Sequence, residues 1–151
     1  MGYTRSGGGP ETFRRPVSGV PEAGCGAAIL NEAGELLLIQ RLRPPEPAHW
    51  GLPGGKIDFG EPAETAVKRE IAEELGIEIT LTRLALLTET IGKDDGRHWV
   101  APVYEAKITS GAPTILEPEK HGGWGWFALD ALPDQLTTPT RQYLASRKSS
   151  A

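Results

Sequence analysis

Residues 51–79 read GLPGGKIDFGEPAETAVKREIAEELGIEI: a glycine-rich turn, a proline, then a helical run dense in glutamate. Pro62 suits the first turn of a helix, where its missing N–H has no partner to lose, and Gly76 suits the position just past the end. The pattern predicts a helix from about Pro62 to Leu75. At ~100° per residue, Val67, Ile71 and Leu75 make an apolar stripe, while Glu70, Glu73 and Glu74 stand at i, i+3 and i+4 on a neighbouring face. Three carboxylates share one patch.

A solvated acidic face is the ordinary meaning of glutamate-rich helical sequence. Two details oppose it here. Such glutamates are best placed in the first turn, or opposite lysines four residues on, whereas these lie in the C-terminal half, where the helix dipole disfavours negative charge. A cation on the patch would relieve the repulsion. Several carboxylate oxygens with water and a backbone carbonyl are the ligand set of hard ions, and Mg²⁺ commonly binds this way beside phosphates.

Around this stretch, a chain of 151 residues fits one domain with a real core. Sixteen Lys and Arg against twenty Asp and Glu leave a net charge of -4, which argues against a nucleic-acid duplex or an anionic membrane as partner. Cys25 is the single cysteine, so no internal disulfide forms, and its small apolar neighbours point to a buried thiol rather than a nucleophile. No apolar run reaches the ~20 residues of a membrane span, and the N-terminus lacks the apolar core of a secretory signal. A soluble, cytoplasmic protein is expected. The opening MGYTRS satisfies the loose N-myristoylation pattern, a short and weakly specific one.

Residues 1–22 mix Gly, Pro, Ser and Arg with few large apolar groups and read as a flexible N-terminal arm; the folded domain is expected over 23–151. Removing Met1–Pro16 is therefore expected to leave turnover within about threefold, because every site residue named below lies downstream. From Ala23 onward, AGCGAAIL and ELLLIQRL flank the turn-like NEAG and suggest a buried hairpin. RPPEPAH suits neither strand nor helix. ITLTRLALLTETI and HWVAPVYEAKI read as strands on either side of GKDDGR, with Pro102 placed at an edge or a bulge. TSGAPTILEPEKHGG reads as a long connection and WGWFAL as a last strand. TPTRQYLASRK, with a Thr cap beside a proline, opens a closing helix. Strands and helices mix without βαβ alternation, which favours an α+β fold.

The spacing of the acidic stretch then resembles a known signature. Gly55, five residues, Glu61, seven residues, Arg69-Glu70-Ile71, one residue, Glu73-Glu74, one residue, Gly76-Ile77 is similar to the motif of the Nudix hydrolases at every fixed position. LPGG upstream and EPEK and WGWF downstream look like its small MutT-like members that cleave nucleoside triphosphates, so the resemblance spans roughly residues 23–144. It implies an α/β/α sandwich around a mixed β-sheet and Mg²⁺-dependent cleavage of a nucleoside diphosphate linked to another group, with Mn²⁺ as a substitute ion. It further implies Glu70, Glu74 and the Gly54 carbonyl oxygen as metal ligands, Glu73 as a further ligand or base, and Arg69 as the cation that orients the acids. Glu61 would fix the junction between loop and helix. Glu119 in EPEK is a candidate for an added ligand or the base, with a plain surface glutamate as the alternative.

Arg41 and Lys56 match positions that meet phosphates in the triphosphate-cleaving relatives, although exposed basic residues without a role read the same way. His49-Trp50, His98-Trp99, Trp124 and Trp126-Phe127 offer faces on which a base could stack, against the commoner role of tryptophan in a core. The proline, tyrosine and upstream markers of ADP-ribose, diadenosine-polyphosphate and coenzyme A relatives are missing from TETIGKDDG and its surroundings. Cleavage of a small-molecule nucleotide, a nucleoside (deoxy)triphosphate, to the monophosphate and pyrophosphate is the leading expectation, with a homodimer as a candidate assembly. An ADP-ribose or nucleotide-sugar pyrophosphatase is the enzymatic rival. A non-catalytic nucleotide-binding module is the other, and the intact acidic positions speak against it.

Overall fold

The computed structural model describes residues 19–92 and 96–150. The expectations for the arm through residue 18, its myristoylation pattern and its arginines included, lie outside the described residues, as does the Asp94–Asp95 part of the predicted turn. Nine elements follow in order: β1 Glu22–Ile29, β2 Leu36–Arg41, β3 Trp50–Gly51, β4 Gly54–Lys56, α1 Ala63–Leu75, β5 Glu78–Ile91, β6 His98–Ser110, β7 His121–Phe127 and α2 Thr138–Ser150.

The strands form two sheets, one of four strands in the order β4-β1-β6-β5 and one of three in the order β3-β2-β7. The first is mixed, because β1 runs parallel to β6 and antiparallel to β4. Period-two alternation sorts the strand side chains between two cores. Cys25, Ala27 and Ile29 of β1 and Leu37 and Ile39 of β2 pack with Ala66, Val67, Ile71 and Leu75 of α1. Ala28, Leu36 and Leu38, their neighbours in sequence, turn the other way and pack with Tyr143 of α2. Each helix thus covers its own face, which is the expected α+β arrangement of helix, sheet and helix.

Three expectations need correction. β1 and β2 do not form a hairpin: they join only through the single bridge Leu30↔Leu36 and then part into different sheets. Both edges of β1 are already taken, by β4 and β6, so no edge remains for β2. Pro102 lies neither on an edge strand nor at a register shift, because β6 is interior and Pro102 faces Leu87. Partners in the β1–β6 ladder stand at Val100 and Val103, so the proline sits where the ladder has a gap and its missing N–H costs no bond. Pro62 stands at the N-cap, with φ -63° and ψ 147°, one residue ahead of the helix.

The α2 face carries a buried ionic knot. Glu105, only 8 % exposed, accepts from Arg83 Nε at 2.8 Å, from the Tyr143 hydroxyl at 2.6 Å and from Arg147 Nη1 at 2.9 Å. Burial alone would raise the Glu105 pKa, but the Tyr143 hydrogen bond and the two arginines together hold it below the ordinary carboxylate value. The same contact pushes the Tyr143 phenol, already disfavoured by burial, up to about 12. Glu105→Gln is expected to cost about 2 kcal/mol at pH 7, the scale of hydrogen bonds to a charged group. A depressed carboxylate contributes its stability above the unfolded pKa of ~4.3 and loses it as pH falls through the folded value. Urea unfolding of the two proteins should therefore differ at pH 7 and converge toward pH 3.

Candidate active site

Gly76 ends α1 in the left-handed conformation, φ 69°, and donates its N–H to the Ala72 carbonyl at 2.9 Å. The remaining carbonyls at that end are taken by the 111–120 connection: Thr114 N donates to Leu75 O at 3.0 Å and Leu116 N to Glu74 O at 3.1 Å. This docking satisfies groups that a helix C-terminus leaves open, and it lays the EPEK segment against the acidic face.

At the other end of α1, Glu61 accepts the Asp58 N–H at 3.1 Å and takes a two-pronged contact from Arg69, Nε to Oε2 at 2.7 Å and Nη2 to Oε1 at 2.9 Å. Arg69 holds Glu61 below the ordinary carboxylate pKa, and Glu61 in turn stabilises the charged guanidinium. The same guanidinium reaches Glu70 at 3.1 Å, Glu73 at 3.3 Å and the Lys56 carbonyl at 3.0 Å. One arginine ties the junction, the glycine turn and two helical acids together. Glu73 is the outermost of these acids, its side chain 52 % exposed.

Glu74 is different. It is 6 % exposed, and its Oε1 accepts the Gly54 N–H at 3.0 Å. Burial, then the negative charge of Glu70, push its pKa well above the ordinary value; the Gly54 contact pulls the other way and Glu117 adds to the rise. Glu70 is also raised, chiefly by burial, with Arg69 opposing and Glu73 and Glu117 reinforcing. Both glycines of the turn are required by this packing. A Cβ on Gly54 would run into the Cys25 carbonyl, and one on Gly55 would occupy the place of the Glu70 carboxylate.

Glu74 lies at the edge of a cleft of about 240 Å³. Gly54, Gly55 and Lys56 line it from β4, Arg41 and Ile39 from β2, Thr88, Thr90, Trp99 and Ala101 from β5 and β6, and His121 from the start of β7. Lys56 is exposed there. Arg41 gives two of its donors to loop carbonyls, Nε to Pro45 O at 2.7 Å and Nη2 to Pro44 O at 3.1 Å. Of the aromatic candidates only Trp99 is among the lining residues; Trp50 packs edge-on against Phe127, and Trp124 against Trp126. Cys25 lies beneath the cleft, and burial raises its thiol to about 11, so it behaves as a core residue.

Two residues were missed in the sequence. Glu117, the other glutamate of EPEK, is half-buried and near enough to shift both Glu70 and Glu74, whereas Glu119 stands exposed. The Leu116–Glu74 backbone bond docks this segment, and Lys120 and His121 donate their N–H groups to the Glu117 carbonyl; no local pattern announces which of the pair turns inward. His121, 7 % exposed, brings Nε2 to 3.7 Å from Glu74 Oε2; burial lowers its pKa.

The donor types present suit a hard divalent ion: the carboxylate oxygens of Glu70 and Glu73 and the buried Glu74, beside the backbone of the glycine turn. Among the described residues no three acids, His or Cys already converge as a ligand cluster, since Arg69 draws Glu70 and Glu73 to itself.

The NUDIX domain family model matches residues 20–146, and the chain belongs to the Nudix family. It is a Nudix hydrolase. The crystal structure of a MutT NUDIX hydrolase from Burkholderia pseudomallei superposes with a TM-score of 0.81 at 52 % identity, covering 85 % of this chain and 98 % of that one. A putative 8-oxo-dGTP diphosphatase of Bacillus subtilis is 32 % identical over 105 residues, 70 % of this chain and 65 % of its own length. Putative 8-oxo-dGTP diphosphatase 2 of Mycobacterium tuberculosis is 56 % identical over 45 residues, 29 % of this chain and 32 % of the relative. The matches thus span from a third to just under two thirds of these two relatives. Enzymes of the family act on small nucleotides and generally use divalent metal ions. Among the described residues no helix is long and apolar enough to cross a membrane.

Proposed function

We propose that this enzyme hydrolyses a nucleoside triphosphate to the monophosphate and pyrophosphate with Mg²⁺, or Mn²⁺ in its place. The observation that carries the reading is Glu74: a buried carboxylate lining the cleft, in the field of Glu70 and Glu117, suits a cation. Glu70, Glu74 and the Gly54 carbonyl would hold the ion, with Glu73 as a further ligand. When bound, a divalent ion neutralises phosphate oxygens and makes a nearby water more acidic.

The chain's own groups do the rest. Lys56 and Arg41, both among the residues lining the cleft, would serve as phosphate contacts. Arg69 fixes the acids by its four-way contact, so that they need not reorganise during the reaction. A carboxylate on the docked loop or helix takes the water's proton: Glu73 by its place in the motif, Glu119 by its place in EPEK, or Glu117 by its closeness to the buried acids.

A nucleotide panel at saturating Mg²⁺ tests the substrate class. It should contain the canonical triphosphates, 8-oxo-dGTP (because relatives carry that name), ADP-ribose and a UDP-sugar. The triphosphates are expected to exceed the other two by at least about tenfold in kcat/KM, the scale of one or two lost phosphate contacts. A preference for ADP-ribose of that size would replace the proposal.

A further inference from the structure

The segment between β2 and β3, residues 42–49, is held at its base and at its tip by side-chain hydrogen bonds. At its base, Arg41 binds the Pro44 and Pro45 carbonyls, Ala48 N donates to Arg41 O at 2.8 Å and Gln40 Nε2 to Ala48 O at 3.3 Å. At its tip, Glu46 crosses to the start of α2, accepting the Thr138 N–H at 2.9 Å and the Thr138 hydroxyl at 3.1 Å, with Arg141 at 3.9 Å. α2 has no acidic residue in its own first turn, so Glu46 is the negative charge at that helix end. Glu46 does this from a left-handed backbone, φ 59°, a conformation that a non-glycine residue keeps only when its contacts hold it there.

Both sides of this latch reach the cleft: Pro45 and Glu46 of the loop line it, as do Thr137 and Pro139, the residues on either side of Thr138. Thr140 also binds this side of the cleft to the glycine turn, its hydroxyl accepting the Leu52 N–H at 3.0 Å. We infer that Glu46 is a positioning residue for substrate affinity: its latch onto Thr138 closes one wall of the nucleotide cleft and sets how tightly the substrate is held, without touching the reacting atoms. The inference rests on the triphosphate reading above, since it is measured with that substrate.

Breaking the latch lets the wall move, so binding weakens while the distant acids keep their arrangement. Glu46→Ala should raise KM for the best triphosphate about tenfold and leave kcat within about twofold. Glu46→Gln keeps an acceptor for the Thr138 N–H and a donor for its hydroxyl, and should restore KM to within about threefold of wild type. Thr138→Val removes one contact from the helix side and should raise KM about threefold, which keeps the test open if Glu46→Ala does not fold. A merely structural cap would lower the melting temperature of Glu46→Ala with KM unchanged, and that result overturns the inference. Wild-type enzyme that leaves every triphosphate intact would instead overturn the substrate reading, so the two failures are distinct.

Discussion

Glu74→Gln is expected to lower turnover by about three orders of magnitude or more at saturating Mg²⁺ while leaving the metal-free protein at least as stable as wild type. The substitution keeps shape and the contact to the Gly54 N–H, but removes a charge that burial and Glu70 already disfavour. The fold loses nothing by it. A metal site that loses one anionic ligand of the few it has loses most of its affinity, and with it the neutralisation of phosphate charge on which hydrolysis depends. A thermal shift on adding Mg²⁺ accompanies this in wild type, because an ion that binds only the native state stabilises it, and should vanish in Glu74→Gln. Near wild-type turnover in the variant would show that the buried acid is not a ligand.

Arg69→Ala should cost about a hundredfold in turnover, the upper scale for groups that orient ligands without being ligands. Its guanidinium spans Glu61, Glu70, Glu73 and the Lys56 carbonyl. Without it three carboxylates lose their common counter-charge, so the melting temperature should fall in this variant, unlike Glu74→Gln. Arg69→Lys is expected to recover little, because one ammonium cannot reproduce the fork on Glu61 and the reach to Glu70 and Lys56 at once. Calorimetric metal titration and steady-state rates on both variants check this. Full activity in Arg69→Lys would reduce the residue to a point charge.

The acidic helix was legible in the sequence because its information is local: Pro62, the i, i+3, i+4 glutamates and Gly76 each act within two turns, and the structure places the helix within a residue of the expected start. The hairpin between β1 and β2 was misread for the opposite reason. What occupies the edges of β1 is β4, some thirty residues away, and β6, more than seventy residues away, and neither is visible from NEAG. Pro102 misled in the same way, since a gap in an interior ladder depends on the partner strand. Arg69 as the organiser of the acids could be expected from its place in the motif, but Glu117, His121 and Glu46 depend on how loops dock. Which of Glu117 and Glu119 turns inward follows from how the loop docks on the end of α1, and the reach of Glu46 to Thr138 spans ninety-two positions.

The central claim is metal-dependent cleavage of a nucleoside triphosphate to monophosphate and pyrophosphate. Phosphorus-31 NMR of dGTP and 8-oxo-dGTP, followed with the 151-residue chain and Mg²⁺ and repeated with excess EDTA, tests it most directly. The account predicts the resonances of a monophosphate and of pyrophosphate growing in equal amounts with at least one of the two, and no change under EDTA. Diphosphate with inorganic phosphate as products, or turnover that survives EDTA, would contradict it.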